Sequence, residues 1–234
     1  MPEKQKILAR IEEALKHPAP FPRSAHDASH SGAGLPSTAD LRAWLPPVGE
    51  AFDERLALFR KNVTDLKAEF HLVENPESLA QTLLNLRDAQ GWRKAASHRG
   101  DLTNRACHTL GLPLCLTDES YPVSDLEACD VGITECDALI AQTGSVLLTS
   151  RSAGGRALSV LPPHHVVLAR RDQLLPDLSG AFALLRKKYG DNYPSFISFI
   201  SGPSRTGDIE RVLVLGAHGP RRLTIIFYDK RESD

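Results

Sequence analysis

Two carboxylates stand two residues apart in the stretch Cys129–Leu148, Glu135 and Asp137. Buried together, two acids this close bind protons unequally, and the one pushed up can serve as a general base. Asp137 can equally close a hairpin turn by accepting backbone amides. Further on, Thr143, Gly144 and Ser145 bring two hydroxyls and a glycine to a turn, and Arg151 adds a cation. A second polar stretch, Ser201–Glu210, holds Gly202, Ser204, Arg205 and Thr206. Gly202 lets backbone come close to a ligand, and Arg205 offers a planar fork suited to phosphate or carboxylate. Ser204 or Thr206 is expected to cap a helical turn whose amides favour an anion. The same signature also describes a plain helix cap beside a surface arginine. Glu135 and Asp137 are therefore the catalytic candidates. Thr143, Gly144, Ser145, Arg151, Gly202, Ser204, Arg205 and Thr206 are the ligand-binding ones, and the two stretches are expected to converge on one anion-binding cleft.

Histidines and cysteines argue against a resident metal. His164 and His165 are neighbours on an extended segment, so they point to opposite faces and cannot share one ion. Cys107, Cys115, Cys129 and Cys136 form no C-x-x-C pair, so neither a zinc ribbon nor an iron–sulphur cluster is signalled. No cofactor is expected.

The elements that must position these groups follow from periodicity. Residues 3–16 place Ile7, Leu8, Ile11 and Leu15 on one helical face. From Pro18 to Gly49 six prolines interrupt the chain, which predicts an irregular arm, so the domain division is expected at residues 1–50 and 51–234. Phe52, Leu56, Phe59, Val63, Leu66 and Phe70 step by three and four, the strongest helical pattern in the sequence. Helices are also expected from Pro76 to before Gly91, from Asp101 to Leu110 and from Asp177 to Tyr189. Strands are expected at 71–73, 92–97, 114–116, 165–169, 196–201, 213–215 and 223–228, with a buried hairpin formed by 138–141 and 146–148. This alternation predicts an α/β fold of three layers, a mostly parallel sheet with an inserted antiparallel hairpin.

At 234 residues, 41% hydrophobic and 24% charged, the chain can bury a sizeable core. A formal net charge of -1 provides no global field for holding nucleic acid or an anionic membrane surface. No run approaches the roughly 20 apolar residues of a membrane-spanning helix, and the amphipathic, acid-bearing N-terminus is unlike a signal peptide. A cytoplasmic location is expected.

Three segments together carry a resemblance. They are Gly132-Ile133-Thr134 with Asp137, Leu139-Ile140-Ala141 and Thr143-Gly144-Ser145-Val146; Leu161-Pro162-Pro163-His164-His165-Val166-Val167; and Ser201–Glu210 followed by Val214-Leu215-Gly216-Ala217-His218-Gly219-Pro220. This combination resembles the LUD domain, the lactate-utilisation protein C family. The resemblance implies a fold like that of the glucosamine-phosphate isomerase, ribose-phosphate isomerase and CoA-transferase group. It also implies a part in oxidising L-lactate to pyruvate alongside iron–sulphur partner proteins. Asp137 matches an acid of the family pattern, whereas Glu135 stands where many members carry a small residue. An alternative from a different class is a free-standing isomerase or acyl/CoA transferase acting on a phosphorylated or CoA-linked substrate. A transferase needs a glutamate nucleophile, and Glu135 is the candidate in the central motif.

Overall fold

The computed structural model describes residues 13, 47–207, 213–215 and 219–230, the segments 205–207 and 213–215 by backbone alone. The chain divides into two units, Met1–Leu45 and Pro46–Asp234, and the second is described below. The expected N-terminal helix and arm lie outside the described residues, apart from residue 13 and the last positions before residue 50.

Six strands form one parallel sheet in the order β1 (Glu69–Val73), β12 (Arg222–Tyr228), β7 (His164–Arg170), β4 (Val131–Thr134), β2 (Ala95–Ser97) and β3 (Leu114–Leu116). Helices α2 (Pro76–Gln90) and α3 (Asp101–Leu110) cover one face, burying Leu79, Leu83, Leu102 and Ala106 against Val131, Ile133, Val166 and Ile226. Helix α2 is well specified locally. Asn75 accepts from Ser78 N at 2.8 Å, Pro76 opens the first turn, and Gly91 ends the helix in the left-handed region.

The hairpin does not extend this sheet. Strands β5 (Ala138–Ile140) and β6 (Ser145–Thr149) pair antiparallel and recruit β8 (Leu174–Leu175) and β9 (Ile197–Ile200) into a second, mixed sheet in the order β8-β5-β6-β9. Its strands alternate strictly. Leu139, Val146 and Leu148 face the parallel sheet and helix α1 (Phe52–Asp65), while Ala138, Ile140 and Leu147 face helix α5 (Leu178–Tyr189). With both faces covered, the strands read as nearly continuous apolar runs. The short helix α4 (Val123–Glu127) closes a smaller cluster around Leu126, Cys115 and Cys129.

Three expectations are corrected in detail. The helix through Phe70 ends at Asp65, because Lys67 takes φ 66° and Phe70 already belongs to β1. The strand from Trp92 shrinks to Ala95–Ser97, since Arg93 N and Lys94 N turn to donate to the Asp130 carboxylate at 2.8 and 3.0 Å. No helical turn starts at Ser204 or Thr206. Residues Arg205–Gly207 are strand β10, paired antiparallel with β11 (Leu213–Leu215). Among the described residues no helix is long and apolar enough to cross a membrane.

Candidate functional site

Strands β7 and β12 begin side by side because Pro163 O accepts from both Arg221 N (2.8 Å) and Arg222 N (3.3 Å). Strand β9 ends at Ile200 opposite Val146, which puts Ser201 next to Ser145, and their hydroxyls share a hydrogen bond of 2.7 Å. The chain then turns through Gly202 at φ 87°, and Ser204 N donates to Pro220 O at 2.9 Å. These ties close a pocket of about 170 Å³ at the amino edge of the parallel sheet, with Ser159, His165, Ser198, Gly202, Ser204 and Gly219 among its walls.

The polar groups of this pocket are only partly engaged. His165 is 1% exposed and its Nε2 shares a 2.9 Å hydrogen bond with Thr134 Oγ1. Burial, with His164 alongside, holds the imidazole down to a pKa of about 3, so it is neutral at pH 7. Its Nδ1 and the Oγ of Ser159 are buried without a partner among the described residues. Buried polar atoms are normally satisfied, so two orphans on one small cavity mark a place where a polar ligand gains two hydrogen bonds. No charged side chain stands in the described wall. His164, one residue earlier, faces the opposite way, edge-on to Trp92 and bonded to Thr224 Oγ1 at 2.8 Å.

The opposite edge of the sheet, about 17 Å along β7 from His165 to Arg170, is built from charge. Glu135 follows β4 and spans the gap to α3. Its Oε1 accepts from Leu102 N (2.8 Å) and Thr103 N (3.4 Å), and its Oε2 accepts from Arg170 Nη1 (2.9 Å). Glu135 thus caps a helix whose own N-cap, Gly100, has no side chain to offer. A Cβ at Gly100 would lie 2.4 Å from that Oε1. Arg171 pairs with Asp229 at 2.5 Å and stacks 3.5 Å above the Phe52 ring.

The expected site residues are therefore distributed rather than gathered. Gly202 and Ser204 line the amino-edge pocket, and Ser145 bonds to Ser201, the residue before Gly202. Thr143 and Gly144 turn the other way, against α1. Asn62 Nδ2 donates to Ala141 O (2.9 Å) and Gln142 O (3.0 Å), and Gly144, at φ 65°, lies so close that a Cβ would be 2.8 Å from Asn62 Cβ. Asp137 is buried under α5, its Oδ1 accepting from Lys188 Nζ (2.6 Å) and Tyr189 OH (2.7 Å). Burial pushes its carboxyl up, but the Lys188 ammonium with Ser152 and Tyr189 outweighs this and holds it below the usual range. An acid held ionised in this way is a poor proton acceptor, unlike the raised base that sequence suggested. Arg151 joins the same cluster, donating to Asn192 Oδ1 at 2.8 Å and lying 5.5 Å over the Tyr189 ring. Glu135, with both oxygens committed, is held as a strut. The side chains of Arg205 and Thr206 lie outside the described residues. Ser159 carried no local signal, and His165 was legible only as part of the Leu161–Val167 segment.

Among the described residues no group of three or more His, Cys, Asp and Glu side chains is placed to hold a metal ion.

Comparison with known proteins draws on the same segments. The model of the LUD domain matches residues 123–228, from α4 to the end of β12. Lactate utilization protein C of Shouchella clausii is 30% identical over 190 residues, covering 76% of this chain and 81% of that protein. Lactate utilization protein C of Halalkalibacterium halodurans is 40% identical over 117 residues, and lactate utilization protein C 1 of Bacillus mycoides is 36% identical over 116. In these two matches the chain spans about half the length of the relative, 51% and 50%. A crystal structure of a DUF162 family protein from Deinococcus radiodurans superposes with a TM-score of 0.61 at 22% identity, covering 77% of this chain and 99% of that one, and so shares the fold. The hairpin, the paired histidines and the Gly202 turn that build the amino edge all fall inside the matched region, and the chain belongs to the LUD domain family.

Proposed function

We propose that the protein is a component of L-lactate utilisation, the oxidation of lactate to pyruvate, acting with iron–sulphur partner proteins, and that its amino-edge pocket holds a small anionic ligand. The relatives' name, lactate utilization protein C, supports the pathway. The observation that carries the ligand reading is the pair of orphaned buried groups, Ser159 Oγ and His165 Nδ1, on a cavity of about 170 Å³. That volume suits a three-carbon acid. Its carboxylate needs a cation that the described wall lacks. Arg205, the residue after Ser204, is assigned that role on its position in the chain, with its guanidinium forking onto the carboxylate. The described cysteines are free thiols and three of them are buried, so in this reading the electrons pass to clusters carried by partners.

Calorimetric titration with L-lactate and pyruvate tests the site. Arg205→Ala is expected to weaken binding by about 1.5–3 kcal/mol, the range for a hydrogen bond to a charged group. Arg205→Lys restores part of it, keeping charge but losing the planar fork. Equal affinities in wild type and both variants would sink the assignment. For the pathway, a deletion strain is expected to grow worse on L-lactate than on glucose. Equal growth without a second gene copy counts against it.

A further inference from the structure

We propose that the cleft at the carboxyl edge of the parallel sheet is a second binding site, for a phosphate-bearing metabolite of about nucleotide size. It is independent of the lactate reading. The cleft measures about 950 Å³, several times the amino-edge pocket and within the range of sites that take cofactor-sized molecules. It lies where open α/β sheets bind ligands, outside the carboxyl ends of parallel strands, here β7 and β12 at Arg170 and Tyr228.

Five cations line it, and the structure separates them into two kinds. Arg170 and Arg171 are already matched, to Glu135 with Asp101 and to Asp229, and form fixed walls. Arg55, Arg105 and Lys230 have no carboxylate partner among the described residues. Arg55 spends one guanidinium nitrogen on Glu50 O, and its Nε is buried with no partner. The three come from α1, α3 and the segment after β12, so three unconnected parts of the chain bring unneutralised charge to one concavity. The first turn of α1, carrying Phe52 and Arg55, opens onto the same space and adds its positive end, whereas the leading amides of α3 are already taken by Glu135. Asp101 and Asp172 are the acids of the lining; both are exposed, and Asp101 pairs with Arg170. Between the charges Leu102, Leu174 and Tyr228 supply an apolar floor. Clustered cations beside an apolar floor suit a molecule with a compact multiple charge at one end and a ring or chain at the other. Phosphate meets the first need because each oxygen accepts from a guanidinium or ammonium.

The test uses the full-length protein with ADP, pyrophosphate and adenosine as probes, followed by calorimetry. ADP and pyrophosphate are expected to bind and adenosine not to, with ADP affinity falling as salt is raised. Arg105→Glu and Lys230→Glu, both at exposed positions, are each expected to weaken ADP about tenfold or more while the unfolding midpoint and L-lactate response stay as in wild type. The proposal is overturned if neither phosphate compound binds at millimolar concentration, if adenosine binds as well as ADP, or if both charge reversals leave ADP affinity unchanged. Loss of the lactate response in Arg205→Ala with ADP binding intact supports two separate sites, and loss of both responses in that variant overturns the separation.

Discussion

At the amino edge of the parallel sheet, buried hydrogen-bonding groups lack partners, and the described wall of the pocket carries no charged side chain although Arg222 stands nearby. At the carboxyl edge, Glu135 and Asp229 each have an arginine, and the cations outnumber the acids that pair with them. The difference follows from how the strands start and end. Strands β7 and β12 start between a proline-tied loop and the second sheet, where His165 and Ser159 are buried and an ion without a partner would be costly. They end facing two helix N-termini, where solvent enters, acids are stabilised by the helix dipoles and the arginines by those acids. On the two proposals above, the first edge takes a small acid through buried hydrogen-bonding groups and Arg205, and the second a larger molecule through several cations.

The largest expected effect that separates the edges is with pH. His164 is held down to a pKa of about 4 by burial and by Arg222 nearby, and His165 to about 3 by burial and by His164, both from 6.5. Each therefore takes a proton less readily in the fold than in the unfolded chain. Below pH 6.5 the unfolded state binds more protons, so stability falls as pH is lowered towards 4 and then 3. At about 1.4 kcal/mol per unit of pKa difference, the pair sums to several kcal/mol, a large part of an ordinary domain's stability. Urea denaturation across this range is the measurement. His165→Gln is expected to flatten the slope, and an unchanged slope would show that the amino edge is wetter than described.

Next in size is the carboxyl edge. Glu135→Ala leaves Arg170 with only the exposed Asp101 and uncaps α3, and is expected to cost about 3 kcal/mol. Glu135→Gln keeps an acceptor for the Leu102 amide and should cost less. If both cost under about 0.5 kcal/mol, the pair behaves as a surface ion pair and the contrast between the edges weakens. The smallest effect belongs to Ser145→Ala, about 1 kcal/mol for the lost hydrogen bond to Ser201, with ADP affinity unaltered because the bond lies at the far edge.

Much of this architecture was legible along the chain. Caps at Asn75, Gly91 and Asp177 and the apolar spacing of α1 fix helices by local rules, and the runs at 138–141 and 146–148 fold as the buried hairpin they suggested. What local pattern could not carry was assembly. That the hairpin founds its own sheet depends on β8, two residues long, and on β9, some fifty residues away. Glu135 and Asp137, two residues apart in sequence, serve different helices, α3 and α5, because the chain between them leaves β4 of the parallel sheet after Thr134 and enters β5 of the second sheet at Ala138. The cations of the cleft run from Arg55 to Lys230, a separation no motif spans. The strand at Arg205 replaced an expected helix start because its partner, β11, lies beyond the turn-forming residues that suggested a cap.

The Ala141–Gly144 turn has a consequence for what lengths of chain this fold tolerates. Hairpin tips usually project into solvent and accept inserted residues. This one is pressed onto a helix. Asn62 holds its two carbonyls, and the Gly144 α-carbon meets the helix backbone at Asn62 and Val63 with no space for a methyl group. A longer tip would have to lift α1 from the core it shares with Phe227 and Leu139. Insertions should therefore be excluded here, and natural or engineered length variation pushed towards the exposed loops elsewhere, such as that at Glu119.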